Sequence, residues 1–240
     1  LDRSIKRALR KADPSRPVIP NSGMFPHLPQ LDGTDTHAYF GWYFGDERDF
    51  PTFLRRLPRL ARFVTEFGAQ AVPEDASFCE PERWPELDWP RLARTHNLQK
   101  SQFDRYVPPA DFATFDEWRD ATQRYQAEVV KHHVEALRKL KYRPTGGFAQ
   151  FCFADGHPAV TWSVLGHDRA PKAGHTALVE ACRPAIVVCD RPPAELLPGS
   201  RLALDVHVVS DLHHDLPAAR VGATVRWTGG ERTWAWQGDV

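Results

Sequence analysis

Residues 62–73, Arg-Phe-Val-Thr-Glu-Phe-Gly-Ala-Gln-Ala-Val-Pro, decide how we interpret the rest of the chain. The apolar run at residues 63–65 predicts a short buried strand that ends with the carboxylate of Glu66. Gly68 then predicts the start of a loop. In a parallel α/β barrel the carboxyl ends of the strands face the substrate, so Glu66 is a candidate catalytic group. From these residues alone, a Glu that simply faces solvent fits equally well.

The same segment resembles the nucleophile strand of glycoside hydrolase family 2, the family of β-mannosidases, β-galactosidases and β-glucuronidases. In that family an apolar run is followed by Ser/Thr-Glu-aromatic-Gly, a small residue, Gln and a nearby Pro. The matching positions are Thr65, Glu66, Phe67, Gly68, Gln70 and Pro73. The resemblance implies that Glu66 is the catalytic nucleophile of a retaining glycosidase and that the substrate is a carbohydrate.

Composition and charge limit the classes of partner. The chain has 240 residues, of which 42% are hydrophobic, and this suffices for one large domain or two ordinary ones. Its 31 basic and 31 acidic side chains give a formal charge of zero, which argues against broad electrostatic binding of nucleic acid or anionic membrane. No run of 18 apolar residues occurs. We therefore expect neither a nucleic-acid nor a membrane partner.

The metal-binding residue types show no recognisable spacing. None of the 11 His residues lies in an H-E-x-x-H pattern, and the adjacent His132 and His133 are poorly placed to bind one metal ion from a helix. We therefore expect no metal and no cofactor. The cysteines lack C-x-x-C spacing, which favours a reducing compartment. They are Cys79, Cys152, Cys182 and Cys189.

The segments before the Glu66 strand follow a helix–strand order. Residues 2–12 predict a basic amphipathic helix, which ends before Pro14. Residues 16–22 predict a strand and its exit loop, and this pair resembles the approach to the fifth barrel strand of family 2. Residues 50–61 predict a short helix broken by prolines. Residues 74–111 predict a long excursion at the top of the barrel, of a length that is usually functional.

Residues 31–45, Leu-Asp-Gly-Thr-Asp-Thr-His-Ala-Tyr-Phe-Gly-Trp-Tyr-Phe-Gly, predict an aromatic strand. Alternation would place His37, Tyr39 and Gly41 on one face and Ala38, Phe40 and Trp42 on the other. The D-x-H-x-aromatic-x-x-W order resembles the sixth strand of β-mannosidase-like members. The resemblance implies that Tyr39 donates a hydrogen bond to the nucleophile and that His37, Tyr39 and Trp42 bind substrate.

The longest predicted helix covers residues 116–142. Its Thr-Gln-x-x-Gln order, from Thr122 to Gln126, resembles the helix before strand eight in β-mannosidases. Residues 145–153 then predict a buried barrel strand, and residues 173–183 a closing helix. The predicted buried stripe of the long helix consists of Trp118, Ala121, Tyr125, Val129, His132, Ala136 and Leu140.

Residues 155–172 resemble the family's D-x-W-P-x-x-S-W-S segment and the Pro-Lys that follows it near the end of the barrel. The matched residues are Asp155, Pro158, Trp162, Ser163, Pro171 and Lys172. The resemblance implies that Asp155 and Trp162 bind substrate. Two differences bear on the identity of the sugar: residues 151–154 are Phe-Cys-Phe-Ala where the family has Trp-Gln-Leu-Asn, and His157 replaces a Trp.

From residue 185 onwards the hydrophobic period changes to two. Strands are predicted at residues 186–189, 201–209, 221–227 and 233–236. They resemble the start of an immunoglobulin-like β-sandwich, which needs roughly seven strands. The predicted fold class is therefore α/β: the second half of a (β/α)8 TIM barrel in residues 1–184, followed by a partial immunoglobulin-like β-sandwich in residues 185–240.

Retaining glycosidases use two carboxyl groups about 5–5.5 Å apart. In family 2 the acid/base is the Glu of an Asn-Glu pair at the end of strand four, whereas neither Asn21 nor Asn97 is followed by Glu. We therefore expect the acid/base to lie upstream of Leu1 and the chain alone to be inactive. The favoured activity is that of an exo-acting β-mannosidase. A β-glucosaminidase, β-glucuronidase or β-galactosidase specificity, and a non-catalytic carbohydrate-binding relative, stay open, as does the oligomeric state.

Overall fold

The computed structural model describes residues 2–16, 18, 35–197 and 199–240. Most of the strand predicted at residues 16–22 lies outside these ranges, as does the start of the strand predicted at residues 31–45. The chain divides into two compact units, residues 1–179 and 180–240, and each is described by itself.

A three-stranded parallel sheet forms the centre of the first unit. Its strands are β1 (Thr36–His37), β2 (Phe63–Glu66) and β3 (Gly147–Phe148), in the order β1-β2-β3. His37 pairs with Glu66. Because the strands are parallel, their carboxyl ends lie at one edge of the sheet. The described residues form a mixed helix and strand fold with no closed barrel, so the half-barrel stays a prediction.

The flanking strands are shorter than the sequence predicts. After His37 the backbone turns, and the amides of residues 42–44 all donate to the Tyr39 carbonyl. Gly41 makes this turn possible with a φ of +79°, a conformation that side chains other than glycine rarely adopt. The predicted alternation past residue 38 is therefore wrong. Only Gly147–Phe148 of the predicted strand at residues 145–153 forms a strand.

The helices largely match the predicted positions. Pro51 lies in the first turn of its helix and does not break it, because proline is tolerated where no intrahelical N–H donor is needed. No described helix combines the length and apolarity needed to cross a membrane. The α-helices in the described ranges are α1 (Asp2–Ala12), α2 (Phe50–Arg56), α3 (Trp89–His96), α4 (Lys100–Tyr106), α5 (Phe115–Lys139) and α6 (Ala173–Ala181).

Helix α5 is the main support of the first unit. Thr114 and Glu117 form a capping box at its start, which satisfies two backbone donors that a helix end leaves unpaired. The helix has 25 residues, and its buried face includes polar side chains as well as apolar ones. The buried polar residues relevant to the site are Thr122, Gln123 and Gln126.

An aromatic cluster forms much of the core beside α5. Trp42 and Trp118 are fully buried. Trp84 and Trp89, from the excursion at residues 74–111, pack with ring centroids 5.3 and 5.8 Å from Trp118. The excursion, which contains α3 and α4, is thereby fixed to the core. Truncating a fully buried Trp at such a position typically costs about 3–5 kcal/mol.

The second unit contains two antiparallel strand pairs. Strand β4 (Ala185–Cys189) pairs with β5 (Val206–Ser210), and β6 (Ala219–Trp227) pairs with β7 (Gly230–Gly238). The change to a two-residue period therefore predicted the strands correctly, although β5 begins at Val206, later than expected. An immunoglobulin-like arrangement of these strands stays a prediction.

Candidate functional site

Glu66 lies at the carboxyl end of the central strand. Val64, two positions earlier, is fully buried and anchors β2, while the Glu66 side chain keeps 27% of its surface exposed. The Glu66 carbonyl accepts a 2.7 Å hydrogen bond from the Ala38 amide, which joins the ends of β1 and β2. Gly68 follows with a φ of +133°. The carboxylate is thus held at the strand edge by a rigid backbone and stays accessible.

The Tyr39 hydroxyl donates a 2.8 Å hydrogen bond to Oε2 of Glu66. Tyr39 is 6% exposed. Burial, and after it the hydrogen bond to Glu66, raises the pKa of the Tyr39 phenol above its ordinary value. The phenol therefore keeps its proton at neutral pH and remains a donor to the carboxylate.

The ring of His37 lies between two carboxylates. Its Nδ1 is 3.2 Å from Oε2 of Glu66, and its Nε2 is 3.7 Å from Oδ2 of Asp35. The His37 side chain is only 9% exposed, and the Thr65 hydroxyl donates to the same Asp35 carboxylate. The arrangement places Oε2 of Glu66 beside both a phenol and an imidazole.

Four aromatic rings cluster beside Glu66, and we call this cluster the aromatic wall: Tyr39, Tyr43, Phe151 and Trp162. Tyr43 is 40% exposed and Phe151 is half-buried, whereas Tyr39 and Trp162 are 6% and 7% exposed. The Trp162 ring centroid lies 6.2 Å from those of Tyr39 and Tyr43 and 5.4 Å from that of Phe151. The Trp162 indole N–H is buried and has no hydrogen-bond partner in the described part of the chain. Aromatic faces of this kind suit the apolar faces of sugar rings.

Residues after β3 complete this edge of the sheet. Gln150 donates a 2.8 Å hydrogen bond from Nε2 to the Trp162 carbonyl. Cys152 adopts a φ of +64°, which is unusual for a residue other than glycine. Burial, and then the charges of Asp155 and Glu66, raise the pKa of the Cys152 thiol, so it stays neutral at pH 7. The sequence pattern drew attention to this stretch only as a departure from the family.

Two predicted substrate-binding residues lie inside the protein. Trp42 has no exposed surface, and its Nε1 donates to Oε1 of Gln99. Asp155 is 5% exposed; its carboxylate accepts from the Thr161 hydroxyl and lies 3.4 Å from Nζ of Lys172. Neither side chain is free to contact a ligand in this conformation.

Sequence reasoning missed several parts of the site. Tyr43, Phe151 and Gln150 were not candidates, because the predicted strands ran past the turns that bring them to Glu66. The polar residues on the buried face of α5 carried a usable signal. Gln123 and Gln126 lie within the hydrophobic stripe, and a buried amide must find partners.

Three ligating groups in the second unit lie close together. Ligand atoms of Asp190, Asp205 and His207 all fall within 4.8 Å of one another, and the side chains are partly or fully exposed. Exposed acidic groups commonly lie this close without an ion, so we assign no metal to them.

Comparison with solved structures relates this fold to glycoside hydrolases. The structure matches β-D-mannosidase from Dictyoglomus thermophilum with a TM-score of 0.70 at 20% sequence identity, over 96% of this chain and 28% of that one. A Bacteroides uniformis β-glucuronidase matches with a TM-score of 0.44 at 16% identity, over 99% of this chain and 30% of that one, which is too weak to add to the assignment. The chain matches no protein-family profile and no curated protein. The chain thus has the fold of about a quarter of a β-mannosidase.

Proposed function

We propose that the chain is part of a retaining exo-β-glycosidase of glycoside hydrolase family 2, with a β-mannosidase-like specificity and with Glu66 as the nucleophile. The observation that carries the proposal is the hydrogen bond from Tyr39 to Glu66 at the carboxyl end of a central parallel strand. The fold likeness to a β-mannosidase supports the same reading. The fold likeness is also consistent with the proposed half-barrel followed by a β-sandwich.

The geometry supports nucleophilic attack by Glu66. One carboxylate oxygen, Oε2, faces Tyr39 and His37, whose proximity holds the group in one orientation. The other oxygen, Oε1, would then attack the anomeric carbon of a sugar on the aromatic wall. The C–O bond to the leaving group breaks as a glycosyl ester forms, and water later cleaves that ester.

The leaving oxygen needs a proton from a second carboxyl group. The proposal assigns no residue of this chain to that role, because neither Asn in the sequence is followed by Glu as in the family's acid/base motif. The chain spans 28% of the β-mannosidase chain that it matches, so the activity of the whole protein is itself part of the proposal.

Covalent trapping tests the proposal. The full-length protein carrying this chain is incubated with 2-deoxy-2-fluoro-β-mannosyl fluoride, digested and examined by mass spectrometry. We expect one fluorosugar on the peptide that contains Glu66 and none in Glu66→Gln. Glu82→Gln, which changes a Glu in the solvent-exposed part of the excursion, is the control and should label normally. A label on a different carboxylate would remove Glu66 from the role.

The same experiment separates the second candidate, a non-catalytic carbohydrate-binding relative. The departure at residues 151–154, where Cys152 adopts a positive φ beside the site, favours that alternative. Such a protein would bind mannose in ligand-observed NMR, lose the binding in Trp162→Ala, and form no covalent adduct.

A further inference from the structure

The side-chain amide of Gln126, on α5, joins two segments of the candidate site. Gln126 is fully buried, and its Nε2 donates to the carbonyls of Ala69, Trp162 and Ser163 at 2.9, 3.2 and 3.2 Å. Ala69 lies three residues after Glu66, and Trp162 belongs to the aromatic wall. One amide therefore fastens the Glu66 loop and the Trp162 segment to the same point of a long helix.

The space for this amide depends on a glycine in α6. A Cβ added to Gly174 would lie 2.5 Å from Oε1 and 3.0 Å from Cδ of Gln126. The first distance is shorter than non-bonded contacts allow, and the second is tighter than most such contacts. Because Gly174 has no side chain, Gln126 reaches the three carbonyls without strain.

Other bonds in the described part of the chain also link the two segments. The Ala71 amide donates a 3.0 Å hydrogen bond to the Thr161 carbonyl, and Nζ of the buried Lys172 donates to the carbonyls of both residues. These contacts lie two residues beyond Ala69. A second bridge runs through residues 150–151: the Phe151 amide donates a 3.2 Å hydrogen bond to the Phe67 carbonyl, and Nε2 of Gln150 donates a 2.8 Å hydrogen bond to the Trp162 carbonyl. Gln126 differs from this bridge because a single amide group binds both segments.

We infer that Gln126 is a positioning residue that fixes the Glu66 carboxylate relative to the aromatic wall. Removing its two N–H donors takes a hydrogen bond from the buried carbonyls of Ala69 and Ser163 and leaves the Trp162 carbonyl with Gln150 alone, which loosens the coupling between the two segments. The consequence for catalysis rests on the proposed function, whereas the structural coupling between the segments does not.

Gln123 provides a matched control on the same helix. It is 8% exposed, its Nε2 donates 3.1 Å to the Val72 carbonyl, and its Oε1 accepts 3.0 Å from the Ala173 amide. It is therefore a second buried amide on the same helix, and its described bonds do not reach the Trp162 segment. Gln126→Met and Gln123→Met both keep the side-chain length and remove the amide.

The test measures amide hydrogen exchange in the full-length protein and in both variants. We expect exchange in Gln126→Met to become roughly tenfold faster or more in both residues 69–71 and residues 162–164. In Gln123→Met we expect faster exchange near Val72 and Ala173 only. Unchanged exchange at residues 162–164 in Gln126→Met, or the same pattern in both variants, would overturn the inference. Gly174→Ala, which displaces the amide by contact, gives the same readout should Gln126→Met not fold.

Trapping with the fluoromannoside adds a kinetic readout. We expect the rate constant for labelling Glu66 to fall about tenfold or more in Gln126→Met and less than threefold in Gln123→Met. Each rate constant is taken from the time course of labelling and refers only to the molecules that become labelled. A purely structural loss would reduce the labelled fraction and leave the rate constant unchanged, which would contradict a positioning role. Where the unaltered protein takes no label, the proposed function fails and the exchange measurement alone decides on Gln126.

Discussion

The Tyr39 hydroxyl and the Glu66 carboxylate are 2.8 Å apart, although the residues are 27 positions apart in the sequence. Their meeting depends on β1 and β2 being adjacent and parallel, so that both chains leave the sheet at one edge. The turn after Tyr39 then directs its ring back over that edge. The hydrogen bond between Tyr39 and Glu66 is therefore a consequence of the fold, and the proposed chemistry of Glu66 depends on it.

Tyr39→Phe removes this hydrogen bond and little else. A hydrogen bond to a charged group contributes about 1.5–3 kcal/mol, so the rate of fluorosugar trapping on Glu66 should fall by roughly 10- to 150-fold. Tyr43→Phe is the control. It also removes a phenol hydroxyl from the aromatic wall, but that hydroxyl bonds with Gln99 and not with Glu66. Equal rates for the two variants would show that the Tyr39 hydroxyl does not act on Glu66.

The sequence predicted the site better where the signal was local. The Glu66 strand, the long helix and the change to two-residue periodicity each lie in one continuous segment, and the structure has them close to the predicted places. The error at residues 39–45 arose because aromatic residues favour strands, whereas Gly41 and the hydrogen bond from the Tyr125 hydroxyl to the Gly41 carbonyl impose a turn. That bond joins residues 84 positions apart, so no local pattern reveals it.

The role of Asp155 illustrates a second limit. A family pattern marks a position as special but does not say whether the side chain serves the ligand or the fold. In the structure Asp155 faces Lys172, which is itself fully buried and also donates to the Ala71 carbonyl and the Ser163 hydroxyl. Only the three-dimensional arrangement shows that both charges lie behind the site.

The buried pair Asp155–Lys172 should behave as one unit. Lys172→Met leaves a buried carboxylate without its cation and should cost about 3–5 kcal/mol of unfolding free energy. The double variant Asp155→Asn with Lys172→Met should recover most of that loss, because no uncompensated charge remains. Urea denaturation at pH 7, followed by Trp fluorescence, gives the double-mutant cycle. Additive effects of the two substitutions would mean that the charges do not interact.

The same lysine predicts an unusual pH dependence. Burial outweighs the nearby Asp155 and lowers the pKa of Lys172 to about 8, from 10.5 for an exposed lysine. Between these two values the unfolded chain binds the proton more tightly than the folded one, so stability rises with pH. The contribution is up to about 1.4 kcal/mol per pH unit. Below pH 8 the folded and the unfolded chain both hold the proton on Lys172, so this residue adds no further change of stability with pH.

Comparison with the double variant removes the contribution of groups that neither Asp155 nor Lys172 influences, and Cys152, whose pKa Asp155 raises and Lys172 lowers, is replaced by Ser in both proteins. Urea denaturation at pH 7.5 and pH 9.5 should show the protein that keeps Asp155 and Lys172 gaining stability relative to the double variant. Tyr39 and Tyr125, whose pKa values burial raises, act equally in both proteins and cancel. A constant difference between the two proteins over this range would mean that Lys172 keeps an ordinary pKa.

The position of Glu66 also depends on the backbone conformation of Gly68. Its φ of +133° is a conformation that residues with a Cβ rarely adopt, while the space around it is not crowded: an added Cβ would lie 3.6 Å from Nε2 of Gln150. Gly68→Ala should therefore act through backbone strain and cost about 1–3 kcal/mol. Gly156→Ala is the control, because Gly156 has no positive φ and an added Cβ there meets open space. Denaturation of both variants measures the difference. Since the strain lies two residues from the carboxylate, we also expect Gly68→Ala to slow trapping on Glu66, and a stable variant with full trapping rate would show that the loop adapts without moving Glu66.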